Sequence, residues 1–239
     1  MKAFLLAGGR GERLRPLTLS CPKCLVPING VPLLEIWLDH CSREGIAEVL
    51  VNVSHHANVV RDYFAARSGP PSVTLVVEEE PQGTAGTVWA NRWFVDGEES
   101  FWVLYADNLT GVSLPCMLAT HRRHTGPLTM GLFHAPVPSA AGIVQMDGTG
   151  RIVAFEEKPA RPAGDLANAG IYLVRSGLFS EVPQSGGPGP VLDFGFHVLP
   201  SLVGRMYGHV IEEFFIDIGT PEALERASAE WTHHGRAVT

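Results

Sequence analysis

A run of apolar residues near the start of the chain, KAFLLA at residues 2–7, stops abruptly at the glycines of GGRG. A short apolar run that ends at glycines is typical of a parallel β-strand buried on both faces. Segments with helical and strand-like patterns then alternate, in the order PLLEIWLDHCSREG, AEVLVNVS, residues 56–67, VTLVVEE, TVWANRWF and FWVLYAD. This alternation predicts a parallel, doubly wound sheet, which binds ligands beyond the carboxyl ends of its strands.

The second half of the chain has a different pattern. Four strand-like segments follow one another, LTMGLFHA, GIVQMD, GRIVAFEEK and LANAGIYLVR, and DGTG between two of them is typical of a hairpin. We therefore predict an α/β fold with a Rossmann-like, doubly wound, mixed but mainly parallel sheet. Helices are expected at 115–124 and 193–203 and from Pro221. The stretch PQSGGPGP at 183–190 predicts a loop, either mobile over a pocket or merely long.

Composition excludes several classes of protein. Apolar residues make up 45% and charged residues 18% of the 239, as in ordinary globular proteins, and residues 1–239 are predicted to form one domain. A formal net charge of -7 without a basic tail argues against nucleic-acid binding. No stretch approaches the ~20 apolar residues of a membrane span, and the N-terminal run is too short for a secretion signal. The four cysteines make no disulfide framework, so we expect reduced thiols and a cytoplasmic location.

The loop after the first strand is rich in glycine and basic residues. It is not a Walker A motif, since no Gly-Lys-Ser/Thr follows at the required offset, and Leu14 occupies the third glycine position of a dinucleotide fingerprint. Accessible backbone N–H groups with cations nearby suit the oxygens of a polyphosphate, and the residues concerned are Gly8, Gly9, Gly11, Arg10, Arg13, Arg15 and Lys23. The alternative is a tight turn whose arginines are solvated.

Cysteine and histidine pairs raise two further possibilities. Cys21 and Cys24 have CxxC spacing, but no second pair completes a zinc site, and the nearby prolines predict an extended segment instead of the helix start that activates a thiol. His121 and His124 stand three residues apart, yet no nearby carboxylate or thiol completes a metal set. We expect this histidine pair to lie at a solvated helix end.

Six motifs occur in order along the chain. They are LLAGGRGERLRPLT followed by Pro22-Lys23, then EEEPQGTAG, YAD at 105–107, FEEKP at 155–159, NAGIY at 168–172 and FIDIGTPE at 215–222. Together they resemble the signature of the sugar-1-phosphate nucleotidyltransferase family over nearly the whole chain. The short form and the PLLE segment look most like guanylyltransferases for mannose or heptose 1-phosphates, while uridylyl-, thymidylyl- and cytidylyltransferases share the same frame.

The resemblance implies that a nucleoside triphosphate (NTP) and a sugar 1-phosphate react to give an NDP-sugar and pyrophosphate, with Mg2+ as cofactor. It implies that the catalytic residues are Arg13, Lys23, Asp107, Lys158 and Asp217, of which the two aspartates resemble the Mg2+ ligands. The implied nucleotide-binding residues are Ala7, Gly8, Gly9, Gly11, Gln82 and Gly83, the last two lying against the base. The implied sugar-binding residues are Gly142, Glu157 and Asn168. A homodimer is also compatible with the resemblance.

The chemistry accounts for these residue types. Both substrates are anionic, so cations and Mg2+ must screen their repulsion before an oxygen of the sugar phosphate lines up on the α-phosphorus. No general base is needed, because a phosphate monoester is already ionised at neutral pH. A catalytically silent subunit that binds nucleotide sugars is the alternative from another class. It would keep the fold and the binding loop, but the presence of all five catalytic positions favours the enzyme.

Two features of the chain bear on the expected site. Cys24 stands where the family commonly has proline, and Ala106 stands where glycine commonly precedes the metal carboxylate, so a methyl group affects substrate fit near Asp107. In a regular strand, Glu157 and Lys158 would point to opposite faces. Both can reach one pocket only if the end of the strand is distorted.

Overall fold

The computed structural model of the protein describes residues 1–182 and 191–231. Its strands are β1 (Lys2–Leu6), β2 (Pro27–Ile28), β3 (Val31–Pro32), β4 (Glu48–Val53), β5 (Ser72–Val77), β6 (Ser100–Tyr105), β7 (Asn108–Thr110), β8 (Leu128–His134), β9 (Gly142–Met146), β10 (Ile152–Glu157), β11 (Leu166–Arg175), β12 (Tyr207–Val210) and β13 (Phe215–Asp217). Its α-helices are α1 (Leu33–Arg43), α2 (Ala57–Ala66), α3 (Thr84–Ala90), α4 (Leu114–His121), α5 (Leu178–Glu181) and α6 (Pro221–Glu230).

A large central sheet carries the fold. Its strand order is β10-β9-β11-β6-β1-β4-β5, while β8 pairs with β11, and β12 pairs with the other edge of β8. The strands β5, β4, β1 and β6 run parallel to one another, whereas β11 runs antiparallel to β6, β8 and β9. The predicted α/β fold with a mixed sheet is confirmed, with the parallel half built from the alternating first part of the chain.

Strand β1 has the two buried faces that its apolar run predicts. Ala3 and Leu5 belong to the apolar cluster on one face of the sheet, while Phe4 and Leu6 belong to the cluster on the other face. Because successive side chains of a strand point to opposite faces, a strand covered on both sides needs an unbroken apolar run. Polar and glycine residues are therefore confined to the ends of β1, where the ligand-binding edge lies.

The register of the parallel strands brings their carboxyl ends to one edge. Leu6 at the end of β1 lies opposite Asn52 on β4 and opposite Tyr105 on β6. The segments that follow these strands begin with Ala7 and Ala106, so they leave the sheet side by side. This edge contains the glycine loop and the aspartate that follows β6.

One expected helix differs from the structure. Instead of an α-helix over 193–203, the chain forms a π-helical turn at Phe194–Val198 and a 3-10 helix at Leu199–Leu202. Pro200 lacks a backbone N–H group, and its ring disfavours continuation of an α-helix at this point. The predicted loop at 183–190 lies outside the described residues. Among the described helices, none is both long and apolar enough to span a membrane.

Candidate active site

The glycine loop after β1 lies in the middle of the ligand-binding edge. The backbone N–H of Ala7 donates to Oδ1 of Asn52 at 3.0 Å, and the carbonyl of Gly8 accepts a hydrogen bond from the hydroxyl of Ser54 at 2.8 Å. A Cβ on Gly8 would lie 2.8 Å from Nδ2 of Asn52, whereas a Cβ on Gly9 would meet nothing within 4 Å. The loop therefore packs tightly against β4 through Gly8, while Gly9 leaves its backbone accessible.

Gly11 begins a segment whose conformation was predicted incorrectly. Its φ of 62° lies in the left-handed region that favours glycine. The hydroxyl of Thr18 donates to the Gly11 carbonyl at 2.7 Å, and a Cβ on Gly11 would lie 3.2 Å from Cβ of Lys23. The prolines do not extend the chain, because it forms three short 3-10 helices, at Glu12–Leu14, Leu17–Leu19 and Lys23–Leu25. These turns fold Lys23 back onto the glycine loop.

Lys23 is the central cation of the site. Its side chain is only 8% exposed, and its ammonium donates to Oδ2 of Asp107 at 2.8 Å. The same ammonium lies 3.8 Å from Oδ1 of Asp217, and the guanidinium of Arg13 lies 3.9 Å from Oδ2 of Asp217. A Cβ on Gly219 would lie 2.4 Å from that guanidinium, so the glycine provides the space for it. Four of the five predicted catalytic residues are thus brought together.

The two aspartates approach each other because β7 and β13 pair directly after Asp107. The N–H of Ile218 donates to the carbonyl of Asp107 at 3.1 Å, which aligns the ends of the two short strands. The pKa of Asp217 is raised, first because the surrounding protein desolvates its carboxylate and then because Asp107 repels it, and Lys23 opposes this shift. Two carboxylates whose ligand shell is completed by phosphates and water suit Mg2+. These residues fit the predicted metal.

A cavity of about 280 Å³ opens between the glycine loop and the start of α3. The predicted positions that line it are Ala7, Gly8, Gly9, Lys23, Gly83 and Asp107. Gly83 has a φ of 82°, and a Cβ there would lie 2.5 Å from the carbonyl oxygen of Leu192. Gln82 is not among the lining residues, and its carbonyl accepts from the N–H of Leu192 at 3.0 Å. Glycine is required at position 83 because residue 192 packs directly on it.

Three buried polar residues of the same cavity were not assigned from the sequence. They are Asn52, Glu78 and Thr87. The Nδ2 group of Asn52 lies within hydrogen-bond distance of the Thr87 hydroxyl, at 3.3 Å, and this hydroxyl donates to the Glu78 carboxylate. A sequence signal for two of them existed, since Asn52 interrupts an apolar strand and Glu78 directly follows one, as Asp107 follows FWVLYA.

Among the residues predicted to bind the sugar, the Glu157 carboxylate occupies space that two glycines leave open. Gly142 on β9 lies opposite Glu157 on β10. A Cβ on Gly142 would lie 2.5 Å from Oε2 of Glu157, and a Cβ on Gly195 would lie 2.6 Å from the same oxygen. Burial raises the pKa of Glu157, with opposition from Lys158 and a further upward contribution from Asp193.

The backbone is distorted at Lys158, directly after the end of β10. The strand ends at Glu157, and Lys158 has a φ of 50°, in the left-handed region, with its N–H donating to the carbonyl of Ala141 at 3.1 Å. Its ammonium lies 5.8 Å from the centre of the Phe196 ring. Glu157 and Lys158 therefore both approach the turn that contains Gly195 and Phe196, because the distorted backbone turns the lysine out of the strand.

Asn168 lies where β11 changes its register against β8. Its Nδ2 donates to the hydroxyl of Tyr172 at 2.7 Å, and its Oδ1 accepts from the N–H of Gly170 at 2.9 Å. The hydroxyl of Tyr172 also hydrogen-bonds to Tyr105, which lines the cavity. A buried chain of polar side chains thus links Asn168, a predicted sugar-binding residue, to the cavity beside the glycine loop.

A second link joins the two halves of the site through Asp193. The hydroxyl of Thr84, the first residue of α3, donates to Oδ2 of Asp193 at 2.9 Å, and the N–H of Phe194 donates back to that hydroxyl at 2.9 Å. Asp193 begins the turn that Glu157 and Lys158 approach. The start of α3 and the residues predicted to bind the sugar phosphate are therefore supported by one segment. Asp193 was not assigned to the site from the sequence.

The chain is similar to known proteins over most of its length. A family model described as nucleotidyl transferase matches residues 2–234. The chain belongs to the nucleotidyl transferase family. A mannose-1-phosphate guanylyltransferase of Mycobacterium tuberculosis is 34% identical over 95% of this chain and 64% of its own length. A D-glycero-alpha-D-manno-heptose 1-phosphate guanylyltransferase of Aneurinibacillus thermoaerophilus is 28% identical over 98% of this chain and 100% of its own length. The chain thus spans less than two thirds of the mannose-type relative.

A solved structure shares the fold of this nucleotidyl transferase family member. HddC from Yersinia pseudotuberculosis superimposes with a TM-score of 0.80, at 22% identity, over 97% of this chain and 99% of HddC. Ala106, whose methyl group was expected to affect substrate fit, lies beside Asp107 in the lining of the cavity.

The cysteine pair of this family member lies in surroundings that do not activate a thiol. The cysteines are free, and burial raises the pKa of Cys24 to about 12 and also raises the pKa of Cys21. A redox-active thiol needs a lowered pKa, because the thiolate is the reactive form. The structure thus gives no support to a thiol-based function, and Cys24 contributes an apolar wall of the cavity instead.

The histidine pair at the end of α4 is not solvated, so that expectation was wrong. His121 is 2% exposed, and its Nδ1 lies 2.7 Å from the hydroxyl of Thr129. His124 lies 2.8 Å from the same hydroxyl and stacks on Tyr207. Burial, with the nearby Arg175, lowers the pKa of His121 to about 3 and that of His124 to about 4. Both histidines therefore pack against β8, where their contacts support the fold.

Proposed function

We propose that the protein transfers a nucleotidyl group from an NTP to a sugar 1-phosphate, giving an NDP-sugar and pyrophosphate. The observation that carries this proposal is the buried Lys23 ammonium, placed between Asp107 and Asp217 beside an accessible glycine loop and a cavity of about 280 Å³. Family membership and the names of the relatives support it. Among sugar phosphates we favour a mannose- or heptose-type 1-phosphate with GTP, as in those relatives.

The protein's part in the reaction is to hold two anions in line. The backbone N–H groups of the glycine loop, with Arg13 and Lys23, bind the triphosphate, and Lys158 binds the sugar phosphate. A phosphate monoester is already ionised at neutral pH, so the protein needs no general base. Screening of the charge and alignment of the attacking oxygen with the α-phosphorus supply the rate enhancement. Glu157 and Asn168 orient the sugar hydroxyl groups.

We propose Asp107 and Asp217 as the residues that hold Mg2+. When bound, the metal neutralises the charge that develops on the phosphate oxygens. The protein supplies the two carboxylates at adjacent strand ends and the ammonium that keeps them together. A cytoplasmic location and a homodimer also remain proposals, the first supported by the composition of the chain and the second to be measured by light scattering.

Pyrophosphate release from a matrix of five NTPs and several sugar 1-phosphates, with Mg2+, tests the proposal. We expect turnover with at least one pair, and a loss of at least 100-fold in kcat in Asp107→Ala and Asp217→Ala, with unchanged circular dichroism. Asp62→Ala, an exposed aspartate on α2, is the matched control and should keep wild-type turnover. Tight binding of a nucleotide sugar without turnover of any pair would identify a silent regulatory subunit and refute the proposal.

A further inference from the structure

An aromatic side chain is exposed beside the residues predicted to bind the sugar phosphate. Phe196 is 57% exposed, whereas Phe194, two residues earlier, is buried against the rings of Trp89 and Tyr172. Single exposed apolar side chains are common on protein surfaces. Phe196 differs from such residues because its backbone and its ring both contact the candidate site.

The backbone of Phe196 is held at the start of the π-helical turn. Its N–H donates to Oδ1 of Asp193 at 3.2 Å, and the other oxygen of Asp193 accepts from the Thr84 hydroxyl at 2.9 Å. Asp193 also lines the cavity beside the glycine loop. Short π-helical segments occur frequently at functional sites. The ring of Phe196 is therefore presented by a turn that is anchored to the start of α3 and to the wall of the cavity.

The two residues at the end of β10 approach this turn. The Lys158 ammonium lies 5.8 Å from the centre of the Phe196 ring, within the range of a cation–π interaction. The preceding residue, Gly195, leaves room for Glu157, since a Cβ on Gly195 would lie 2.6 Å from Oε2 of Glu157. The exposed ring thus lies next to an ammonium predicted to bind the sugar phosphate and a carboxylate predicted to bind the sugar.

A phosphate bound by Lys158 brings the attached sugar close to the ring. A hydrogen bond from an ammonium to a phosphate oxygen spans about 2.8 Å, and in a sugar 1-phosphate one oxygen joins the phosphorus to the sugar ring. The 5.8 Å between Lys158 and the centre of the Phe196 ring is therefore within the reach of a bound sugar phosphate. A sugar held by this lysine can contact the face of Phe196 while Glu157 accepts hydrogen bonds from its hydroxyl groups.

An aromatic face suits the shape of a cyclic sugar. The hydroxyl groups of a pyranose point mainly outward around its ring, which leaves C–H groups on the two faces. The face of an aromatic ring is electron-rich, so it attracts the weakly positive hydrogens of these C–H groups. A short acyclic phosphate such as glycerol phosphate presents no such face. An exposed ring at this position therefore favours a cyclic sugar over an acyclic alcohol.

We propose that Phe196 is the surface on which the ring of the sugar 1-phosphate stacks. This inference rests on the proposed function and specifies its acceptor as a cyclic sugar. Lys158 binds the phosphate, Glu157 binds hydroxyl groups, and Phe196 contacts the apolar face of the sugar. Phe196 is thus a specificity-determining residue for the sugar, and it does not bind the NTP.

Steady-state kinetics of variants at position 196 test this inference. Phe196→Leu keeps an apolar side chain but lacks the aromatic face, so kcat/KM for the sugar 1-phosphate should fall about three- to tenfold, with KM for the NTP unchanged. Phe196→Tyr keeps the ring and should stay within about twofold of the wild-type value. Trp93→Leu, at an exposed aromatic residue of the 3-10 helix Arg92–Val95, is the matched control and should keep wild-type kinetics.

A double-mutant cycle separates stacking on the sugar from an effect transmitted through Lys158. If the ring only positioned the ammonium, Phe196→Leu would have no effect in the Lys158→Ala background. We expect instead that Phe196→Leu lowers kcat/KM for the sugar 1-phosphate by a similar factor in both backgrounds. The reason is that Phe196 and Lys158 contact different parts of the substrate.

Several outcomes would overturn the inference. It fails if Phe196→Leu keeps the wild-type kcat/KM, if its effect disappears in the Lys158→Ala background, or if the wild-type protein uses glycerol phosphate as well as its best sugar 1-phosphate. If Phe196→Leu does not fold, a folded Phe196→Met with the wild-type kcat/KM also refutes it. Absence of pyrophosphate release with every pair of substrates would instead refute the proposed function, so the two failures are distinguishable.

Discussion

Lys158 combines a role predicted for substrate binding with an unfavourable backbone conformation, and these two properties can be separated by experiment. Its φ of 50° lies in the left-handed region, which costs a residue with a Cβ about 1–2 kcal/mol. Glycine adopts this conformation without that cost but is more flexible in the unfolded chain, which offsets about 0.4–1 kcal/mol. We therefore expect Lys158→Gly to be more stable than Lys158→Ala by about 0.5–1 kcal/mol.

Comparing these two variants isolates the effect of the left-handed backbone conformation on stability. Both lose the ammonium and its contact with the ring of Phe196, so the loss of that contact cancels. Urea denaturation followed by circular dichroism measures the difference in the free energy of unfolding. Thermal melts should show a difference of roughly 2 °C for a chain of this length. At the exposed neighbour Glu156, in the regular part of β10, the order should reverse, with Glu156→Ala more stable than Glu156→Gly.

The same variants report on the predicted function of the side chain. Loss of one charge-assisted hydrogen bond to a phosphate should lower kcat/KM for the sugar 1-phosphate about 10- to 100-fold in both, with little change in KM for the NTP. Lys158→Arg, which keeps the positive charge, should recover part of the loss. Equal stability of the glycine and alanine variants would refute the backbone argument, and full activity of both would remove Lys158 from phosphate binding.

Two further predictions concern the sugar side and the histidine pair. Gly142→Ala places a Cβ 2.5 Å from Oε2 of Glu157, so kcat/KM for the sugar 1-phosphate should fall at least about tenfold. Gly148→Ala, whose Cβ would lie in open space, should have no effect. Equal activity of the two variants would contradict the close packing of Gly142 against Glu157. The pKa of His121 is lowered to about 3, so protonation favours the unfolded chain as pH falls below about 6.5. Between pH 7 and pH 5 the wild-type protein should lose about 2 kcal/mol more free energy of unfolding, measured in urea, than His121→Asn, and parallel losses would contradict this.

The spacing of apolar residues along the chain predicted much of the fold, because it indicates which side chains are buried. The unbroken apolar run of β1 and the alternation of helix and strand patterns indicate a sheet covered on both faces, and the structure has this sheet. The ordered motifs also indicated residues that the fold brings together, since Lys23, Asp107 and Asp217 are far apart in sequence and adjacent in space. Their catalytic roles remain predictions that the proposed assay tests.

Sequence patterns did not predict the burial or contacts of residues that pack against segments distant in sequence. Three adjacent glutamates follow VTLVV, and only packing against β4, α3 and the glycine loop determines that Glu78 is buried while the other two are exposed. Asp193 has no distinctive neighbours in sequence, yet it contacts Thr84 at the start of α3. His121 ends a helix, where solvent is the usual environment, but Thr129 and Arg175 from other elements cover it.

The sequence by itself determined the alternation of helices and strands that builds the parallel half of the sheet, the apolar faces of these strands and the chemical types of the site residues, because these depend on the spacing of side chains along the chain. Only the tertiary structure decided the conformations and contacts at the site. It placed Lys158 in a left-handed conformation beside Glu157, folded the proline-rich segment into 3-10 helices, and enclosed one glutamate at the cavity. Each of these depends on contacts between segments distant in sequence, and their energies do not appear in any local pattern.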